Sequence, residues 1–152
     1  MSYNASLYQK IILDHNRSPR NFGKLEQATH RCSGNNPLCG DSITVELILK
    51  GTIVTDICFE SSSCAISKAS ASLMTETLKG KSLEEINLIS TTFHKMFQQK
   101  IDPDVEEARL GDLISLENIK GTSSRIKCAT LAWKTFHEAL EAHQNATTED
   151  EK

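Results

Sequence analysis

Residues 42–59 read SITVELILKGTIVTDICF, and this stretch decides the fold of the chain. Apolar and polar residues alternate on both sides of Lys50-Gly51, first over residues 43–49 and then over residues 53–59. Period-two alternation around a short glycine turn is typical of an antiparallel hairpin with one buried face. We therefore predict two paired strands here. A short strand near residues 25–32 is expected to complete a small three-stranded antiparallel sheet.

The hydrophobic period changes to that of helices after the hairpin. Ser61-Ser62-Ser63 supplies N-cap candidates for the helix that follows the hairpin, because serine hydroxyls accept hydrogen bonds from free amides. Ser82 with Glu85 three residues later predicts a capping box at the start of the next helix. The last helix is expected to begin at Ser123 or Ser124.

The order of these elements indicates the fold class. One helix is predicted over residues 4–15, the strands follow it, and the remaining helices come after the strands. Strands grouped before helices in one domain indicate an α+β fold, with a small antiparallel sheet and helices packed on one of its faces.

Length and composition limit the chain to one ordinary globular domain. It has 152 residues, 38% of them hydrophobic, and a net charge of −3. We assign residues 1–143 to a single domain and expect the acidic residues 144–152 to fray. The sequence has no concentration of basic residues that would indicate nucleic-acid binding, and no apolar run is long enough for a membrane span. With no export signal in the sequence, we expect a cytoplasmic protein.

The cysteines are the most informative residue type. The chain has five, at positions 32, 39, 58, 64 and 128. An odd number without an export signal argues against a disulfide framework. Reduced thiols in such a protein are buried small side chains, reactive groups or metal ligands.

Three of the five cysteines are placed where a site could form. Cys39 lies in the turn before the hairpin, and Cys64 lies in the first turn of the helix after it. A hairpin returns its second strand to the start of the first, so Cys39, Asp41 and Cys64 can share one end of the sheet. Cys128 is expected in the first turn of the last helix, where the helix dipole favours a thiolate. This pattern predicts a metal site but does not identify the metal, and incidental burial of the thiols is the alternative.

The remaining cysteines and the histidines fit structural roles better. We interpret Cys32 and Cys58 as structural, although Cys32, in an irregular segment, could also approach the site. His15 closes the apolar stripe of the first helix and is expected to be packed. His137 and His143 lie on a helix among Glu138 and Glu141 and are expected on the solvated surface.

Three motifs together resemble a known family. They are NNPLCGD at residues 35–41, SCAIS at 63–67 and RIKCATLAW at 125–133. In this order they resemble the IscU/NifU-N family of iron–sulfur cluster assembly proteins, over about residues 3–143. The chain is most similar to the SufU branch, which has a longer connection between its second and third cysteines and a lysine where Lys127 stands.

The resemblance implies a fold, a cofactor and a partner. The fold is the NifU-like α+β fold, and the implied cofactor is Zn²⁺ held by Cys39, Asp41, Cys64 and Cys128. The implied partner is a pyridoxal-phosphate cysteine desulfurase. The chain would act as a zinc-dependent sulfurtransferase that accepts persulfide sulfur and supplies the downstream iron–sulfur assembly machinery. One departure is Ser63, where the family usually has glycine, so a glycine-only backbone conformation cannot be assumed there.

Within this site we expect Cys39 to be the sulfur acceptor. It lies in a turn beside Gly40, which adds backbone freedom, whereas the other two thiols are anchored by helices. Asp41 is a harder and weaker zinc ligand than a thiolate, which suits a site that opens. Lys127 and Arg125 would stabilise a thiolate or contact the partner. The equal alternative is that they are ordinary residues of the solvated surface.

Three other functions remain open at this point. The same ligands could hold a transient iron–sulfur cluster, which would make the chain an assembly scaffold. A zinc-stabilised interaction module would bind zinc without exchanging it. Thiol-redox catalysis is disfavoured because the sequence has no Cys-x-x-Cys pair.

Overall fold

The computed structural model describes residues 5–37, 40–103, 105–119 and 121–150. Its strands are β1 (His30–Asn36), β2 (Asp41–Lys50) and β3 (Ile53–Ser62), which form one antiparallel sheet in the order β1-β2-β3. The helices are α1 (Ala5–Arg17), α2 (Ala65–Leu78), α3 (Leu83–Phe97), α4 (Glu107–Leu110), a 3₁₀ helix (Gly111–Ile119) and α5 (Ser123–Asp150). The α+β fold is as predicted. Within the described ranges, no helix combines the length and the apolar character that a membrane span needs.

The hairpin forms in the register that the alternation predicts. Val45 pairs with Phe59 and Leu47 pairs with Ile57, and all four side chains are fully buried. The predicted third strand exists, but it runs over His30–Asn36 rather than residues 25–32. Its glycine and asparagines have low strand propensity, so its position is set by pairing with β2 rather than by local preference.

The helices cover one face of the sheet. α5 packs against β1 and β2, α2 packs against β3 and α5, and α1 packs against α2. The aromatic centre of this layer is Trp133 of α5, whose ring stacks on Phe93 of α3 with the centroids 4.5 Å apart. Because α2 lies between α1, α5 and the sheet, small residues such as Ser70 and Ala71 are fully buried along it.

The opposite face of the sheet is polar and only partly covered. Ser33 and Thr44 lie across from each other there, with their hydroxyl oxygens 2.8 Å apart. Farther along β2, the connection between α1 and β1 covers Glu46, and the Leu25 amide donates to Glu46 Oε1 at 3.0 Å. One layer of helices on one face agrees with the predicted architecture.

Two helix starts match their sequence signals. Ser82 Oγ accepts from the Glu85 amide at 3.1 Å, and Glu85 Oε1 accepts from the Ser82 amide at 3.3 Å, which is the predicted capping box. The last helix begins at Ser123, as expected, and extends to Asp150. The fraying of residues 144–152 and the domain limit at residue 143 stay predictions.

Candidate metal centre

Three of the four predicted ligands come together at one end of the sheet. Asp41, Cys64 and Cys128 place one carboxylate oxygen and two sulfurs within 4.8 Å of one another. These residues belong to β2, the start of α2 and α5, which are distant in sequence. The convergence predicted from the hairpin geometry is therefore present for Asp41 and Cys64, and Cys128 joins them from α5.

Asp41 connects the central strand to the start of α2. It is the first residue of β2, is only 2% exposed, and pairs with Asn36 at the end of β1. Its Oδ1 atom accepts a hydrogen bond from the Cys64 amide at 2.8 Å, and its Oδ2 atom lies 3.6 Å from Cys64 Sγ. One carboxylate oxygen thus holds the backbone of Cys64, while the other points to its sulfur.

Cys64 is itself the N-cap residue of α2. Its Sγ atom accepts a hydrogen bond from the Ser67 amide at 3.5 Å, and its side chain is exposed. The prediction that a serine among residues 61–63 caps this helix is wrong, because β3 continues through Ser62. The sulfur occupies the position where free amides and the helix dipole stabilise negative charge.

Cys128 approaches the cluster from α5 and is only 4% exposed. It is the sixth residue of that helix, so it lies in the second turn and not in the first turn as predicted. The Asn36 side-chain amide lies 3.8 Å from Cys128 Sγ and donates to it. Asn36 stands within the 35–41 motif that includes Cys39, but no role at the site was predicted for it.

Cys39, the fourth predicted ligand, lies outside the described residues. Its neighbour Gly40 is exposed and has φ +71°, a conformation that glycine adopts without strain. Arg125 and Lys127 are exposed on α5. The roles of Cys39, Arg125 and Lys127 therefore stay predictions.

Ser63 occupies its place without a left-handed backbone. Among the described residues other than glycine, only Asn21 and Gln99 have positive φ. The Ser63 hydroxyl donates to Ser61 Oγ at 3.1 Å. The departure from glycine at position 63 is thus compatible with this path of the chain.

Comparison with known proteins identifies the family of the chain. The sequence profile of the NifU-like N-terminal domain matches residues 7–150. The chain belongs to the NifU-like N-terminal domain family. The resemblance to iron–sulfur cluster assembly proteins is confirmed.

Relatives of two kinds are similar to this NifU-like chain. It is 42% identical over 143 residues to the zinc-dependent sulfurtransferase SufU of Bacillus subtilis (strain 168), covering 92% of this chain and 95% of that protein. It is 40% identical over 134 residues to the iron–sulfur cluster assembly scaffold protein IscU of Thermotoga maritima, covering 88% and 92%. The crystal structure of FiSufU from Fervidobacterium islandicum AW-1, described as a scaffold protein for the SUF system, has a TM-score of 0.81 at 32% identity. It covers 91% of this chain and 99% of that one.

The donor atoms of the NifU-like site fit a tetrahedral zinc ion. With Zn–S about 2.3 Å and Zn–O about 2.1 Å, a sulfur and an oxygen ligand lie about 3.6 Å apart, and two sulfurs lie about 3.8 Å apart. Asp41 Oδ2 and Cys64 Sγ are 3.6 Å apart, and all three donors lie within 4.8 Å. Thiolates with one carboxylate are also a ligand set that zinc accepts.

The other two cysteines lie outside the cluster, as predicted. Cys32 is half-buried on β1, and its thiol donates to the Ser33 carbonyl at 3.5 Å. Cys58 is buried, and its thiol donates to Glu46 Oε1 at 3.8 Å. Burial, followed by the nearby charges of Glu46 and Asp56, raises the pKa of Cys58 to about 12. Cys58 therefore stays a protonated thiol at neutral pH.

The histidines also lie outside the cluster where they are described. His15 is buried and its Nδ1 atom is 2.7 Å from Ser72 Oγ, as expected for a packed residue. The prediction of a surface His137 is wrong, because the residue is half-buried with Nε2 2.9 Å from Ser90 Oγ. The side chain of His143 lies outside the described part of the chain.

Proposed function

We propose that this chain is a zinc-dependent sulfur acceptor that takes persulfide sulfur from a pyridoxal-phosphate cysteine desulfurase and passes it to the iron–sulfur assembly machinery. The observation that supports this is the juxtaposition of Asp41, Cys64 and Cys128 in a family member that is 42% identical to a zinc-dependent sulfurtransferase. The reduced thiols suit a cytoplasmic location.

Four residues would hold the zinc ion. Asp41, Cys64 and Cys128 supply one oxygen and two sulfurs, and Cys39 would supply the third sulfur. When bound, zinc keeps its cysteine ligands deprotonated at neutral pH and does not itself change oxidation state. Within the protein, the Ser67 amide and the Asn36 side chain donate to the two described sulfurs and stabilise their charge.

The sulfur-transfer step is an exchange at a sulfur–sulfur bond. The Cys39 thiolate attacks the terminal sulfur of the desulfurase persulfide, and a new sulfur–sulfur bond forms. The bond between that sulfur and the desulfurase cysteine breaks, and the desulfurase cysteine leaves as a thiolate. No external oxidant or reductant is consumed. Cys39 suits this role because Gly40 beside it supplies a flexible backbone, whereas Cys64 and Cys128 are fixed by helices.

A scaffold that holds a transient iron–sulfur cluster is the second candidate. It is supported by the 40% identity to the scaffold protein IscU. The same thiolates could ligate iron. Lys127 disfavours it, because the scaffold branch of the family resembled has histidine where Lys127 stands.

The deciding experiment measures the metal and the added sulfur on the same samples. The purified chain is analysed for zinc and iron, incubated with the desulfurase and cysteine for one turnover, and its intact mass is measured. We expect zinc, and a mass increase of one sulfur in the wild type and in Cys32→Ala, the control outside the cluster. Cys39→Ala should gain no sulfur.

Each alternative gives a different result. A Cys39→Ala protein that still gains one sulfur contradicts the acceptor assignment. Iron with visible charge-transfer absorbance supports the scaffold. Bound zinc with no added sulfur on the wild type supports an interaction module.

A further inference from the structure

A cationic groove opens between β1 and α5, next to the metal centre. It has a volume of about 450 Å³. Asn35, Asn36 and Pro37 line one side, and Lys127, Leu131 and Lys134 line the other. We call this surface the β1–α5 groove.

The groove and the metal centre share a wall. Asn36 lines the groove, and its side-chain amide also donates to Cys128 Sγ at 3.8 Å. Asn36 also pairs with Asp41 across the β1–β2 ladder, so the groove and the cluster meet at this end of the sheet. A molecule bound in the groove would therefore lie beside Asn36 and next to the metal centre that Asn36 contacts.

The charge of the groove is positive, and no ion pair among the described residues neutralises it. Lys127 and Lys134 are both exposed, and neither lies within ion-pair distance of a carboxylate among the described residues. Other basic residues do have such partners, for example Arg31 with Glu46 at 3.1 Å. Two unpaired cations beside a cavity, in a chain of net charge −3, favour a negatively charged ligand.

The spacing of the two lysines suits an extended peptide. They are seven residues apart on α5, which is about two turns or 10 Å along the helix axis. In an extended polyproline II segment, which repeats every three residues, carboxylates three residues apart lie on the same side and are separated by about 9 Å. Leu131, which is buried between the two lysines, provides an apolar floor.

We propose that the β1–α5 groove binds an acidic segment of the persulfide-donating desulfurase, with its carboxylates on Lys127 and Lys134. This inference rests on the proposed function and adds to it the docking surface and the charge of the partner. Docking here places the persulfide donor beside the metal centre without occupying it. Because both lysines are exposed, they act mainly on the rate of association and on its salt dependence.

The test uses the full chain and the desulfurase encoded in the same genome. The double variant Lys127→Glu/Lys134→Glu is compared with Lys10→Glu/Lys50→Glu, which makes the same change in net charge at exposed lysines on α1 and at the far end of β2. At low salt, the groove variant should need an about tenfold higher concentration for half-maximal sulfide release. The control should behave as the wild type. The difference should shrink at high salt.

A second measurement detects the contact directly. A zero-length carbodiimide joins a lysine amine to a carboxylate that is in contact with it, and peptide mass spectrometry identifies the pair. We expect Lys127 or Lys134 linked to aspartate or glutamate of the desulfurase. The single variant Lys134→Glu, which is not adjacent to Cys128, should weaken binding without changing the zinc content and thus separate docking from an effect on the thiolate.

The outcomes separate this proposal from the sulfur-transfer proposal. If the lysines cross-link but the wild type gains no sulfur, the groove proposal holds and the sulfur-acceptor proposal fails. If the wild type gains sulfur but the groove variant binds as tightly as the control, or if cross-links form only at other lysines, the groove proposal is overturned. Absence of any complex also overturns it.

Discussion

At the scale of single residues, Asp41 combines a structural role with a predicted ligand role. One carboxylate oxygen accepts from the Cys64 amide and the other lies beside the Cys64 sulfur. Asp41→Asn keeps the size of the side chain but removes its charge. We expect zinc affinity to fall at least about tenfold, because even residues that only orient ligands have effects of that size.

Zinc affinity is measured by competition with a chromophoric chelator. Asp56→Asn is the matched control, because Asp56 lies on β3 and pairs with Lys79 at 3.4 Å, away from the cluster. Equal zinc affinity in the two variants would contradict a ligand role for Asp41.

Cys58 and Cys64 should differ sharply in reactivity. Cys58 is 5% exposed and its pKa is raised to about 12, first by burial and then by Glu46 and Asp56. Cys64 is exposed at the start of a helix. In metal-free folded protein near neutral pH, we expect iodoacetamide to label Cys64 and to leave Cys58 unmodified, because the thiolate is the reactive form. Peptide mass spectrometry reads the sites, and labelling of Cys58 before unfolding would contradict its burial.

The site residues differ in how far the sequence could predict them. Asp41 and Cys64 could be placed together because a hairpin has simple local geometry. The capping role of Cys64 could not be predicted, because it depends on where β3 ends. β3 stays paired to β2 as far as Ser62, which lies opposite Ser42, and the helix can begin only after that point. Asn36 was missed as a partner of Cys128 because the two residues are 92 positions apart.

At the scale of elements, Gly34 sets the closest approach between β1 and α5. A Cβ atom at this position would overlap Thr135 Oγ1. Gly34→Ala should therefore destabilise the fold by about 1–3 kcal/mol, the usual cost of overpacking. Urea unfolding measures this change in the free energy of unfolding.

Two further variants test the cause of that cost. Gly34→Ala combined with Thr135→Ala removes the overlapping oxygen and should recover part of the lost stability. Gly121→Ala is the control, because a Cβ there meets no atom within 4 Å, and its effect should stay within about 0.5 kcal/mol. Equal costs at positions 34 and 121 would contradict the close approach.

Two helix contacts depend on neutral histidines. His15 of α1 lies against Ser72 of α2, and His137 of α5 lies against Ser90 of α3. Burial lowers the pKa of both histidines; Arg20 lowers that of His15 further, and His94 that of His137. The unfolded chain takes up these protons near pH 6.5, before the folded chain does. Stability is therefore fully present above about pH 6.5 and falls as the pH drops below it.

The double variant His15→Asn/His137→Asn should show a smaller loss of stability between about pH 7.5 and about pH 5 than the wild type. Urea midpoints at the two pH values give the comparison, in which the carboxylates common to both proteins cancel. If the double variant lost as much stability between the two pH values as the wild type, the assignment of this loss to the two histidines would be contradicted.

The elements themselves were predictable where their signals are local. The hairpin, the capping box at Ser82 and the start of α5 follow from neighbouring residues. β1 was predicted several residues too early, because its position depends on pairing with β2 and packing against α5. The half-buried state of His137 depends on the contact between α5 and α3, which no periodicity within α5 reveals.

At the scale of the whole molecule, the cluster joins three elements that are far apart in sequence. Asp41, Cys64 and Cys128 belong to β2, the start of α2 and α5. A zinc ion bound there would link these elements. It would stabilise the folded state, because the unfolded chain does not hold these ligands together. The stability of the entire fold is then coupled to zinc.

Removal of zinc should lower the unfolding temperature. With free zinc at about 100 times its Kd, the expected stabilisation is about 2.7 kcal/mol, or roughly 5–10 °C for a domain of this size. Thermal unfolding with and without a chelator measures this, and Asp41→Asn should show a smaller difference. An unfolding temperature that does not respond to the chelator would contradict the coupling.

The unequal exposure of the three described donors has a kinetic consequence. Asp41 and Cys128 are nearly inaccessible, whereas Cys64 is exposed. Of these three donors, only Cys64 can be reached by a competing chelator or by hydrogen peroxide before the fold opens. Metal loss and oxidative damage at these donors would then begin at the Cys64 sulfur and reach the other two afterwards. The rate of attack on Cys64 would set the lifetime of the zinc-bound protein.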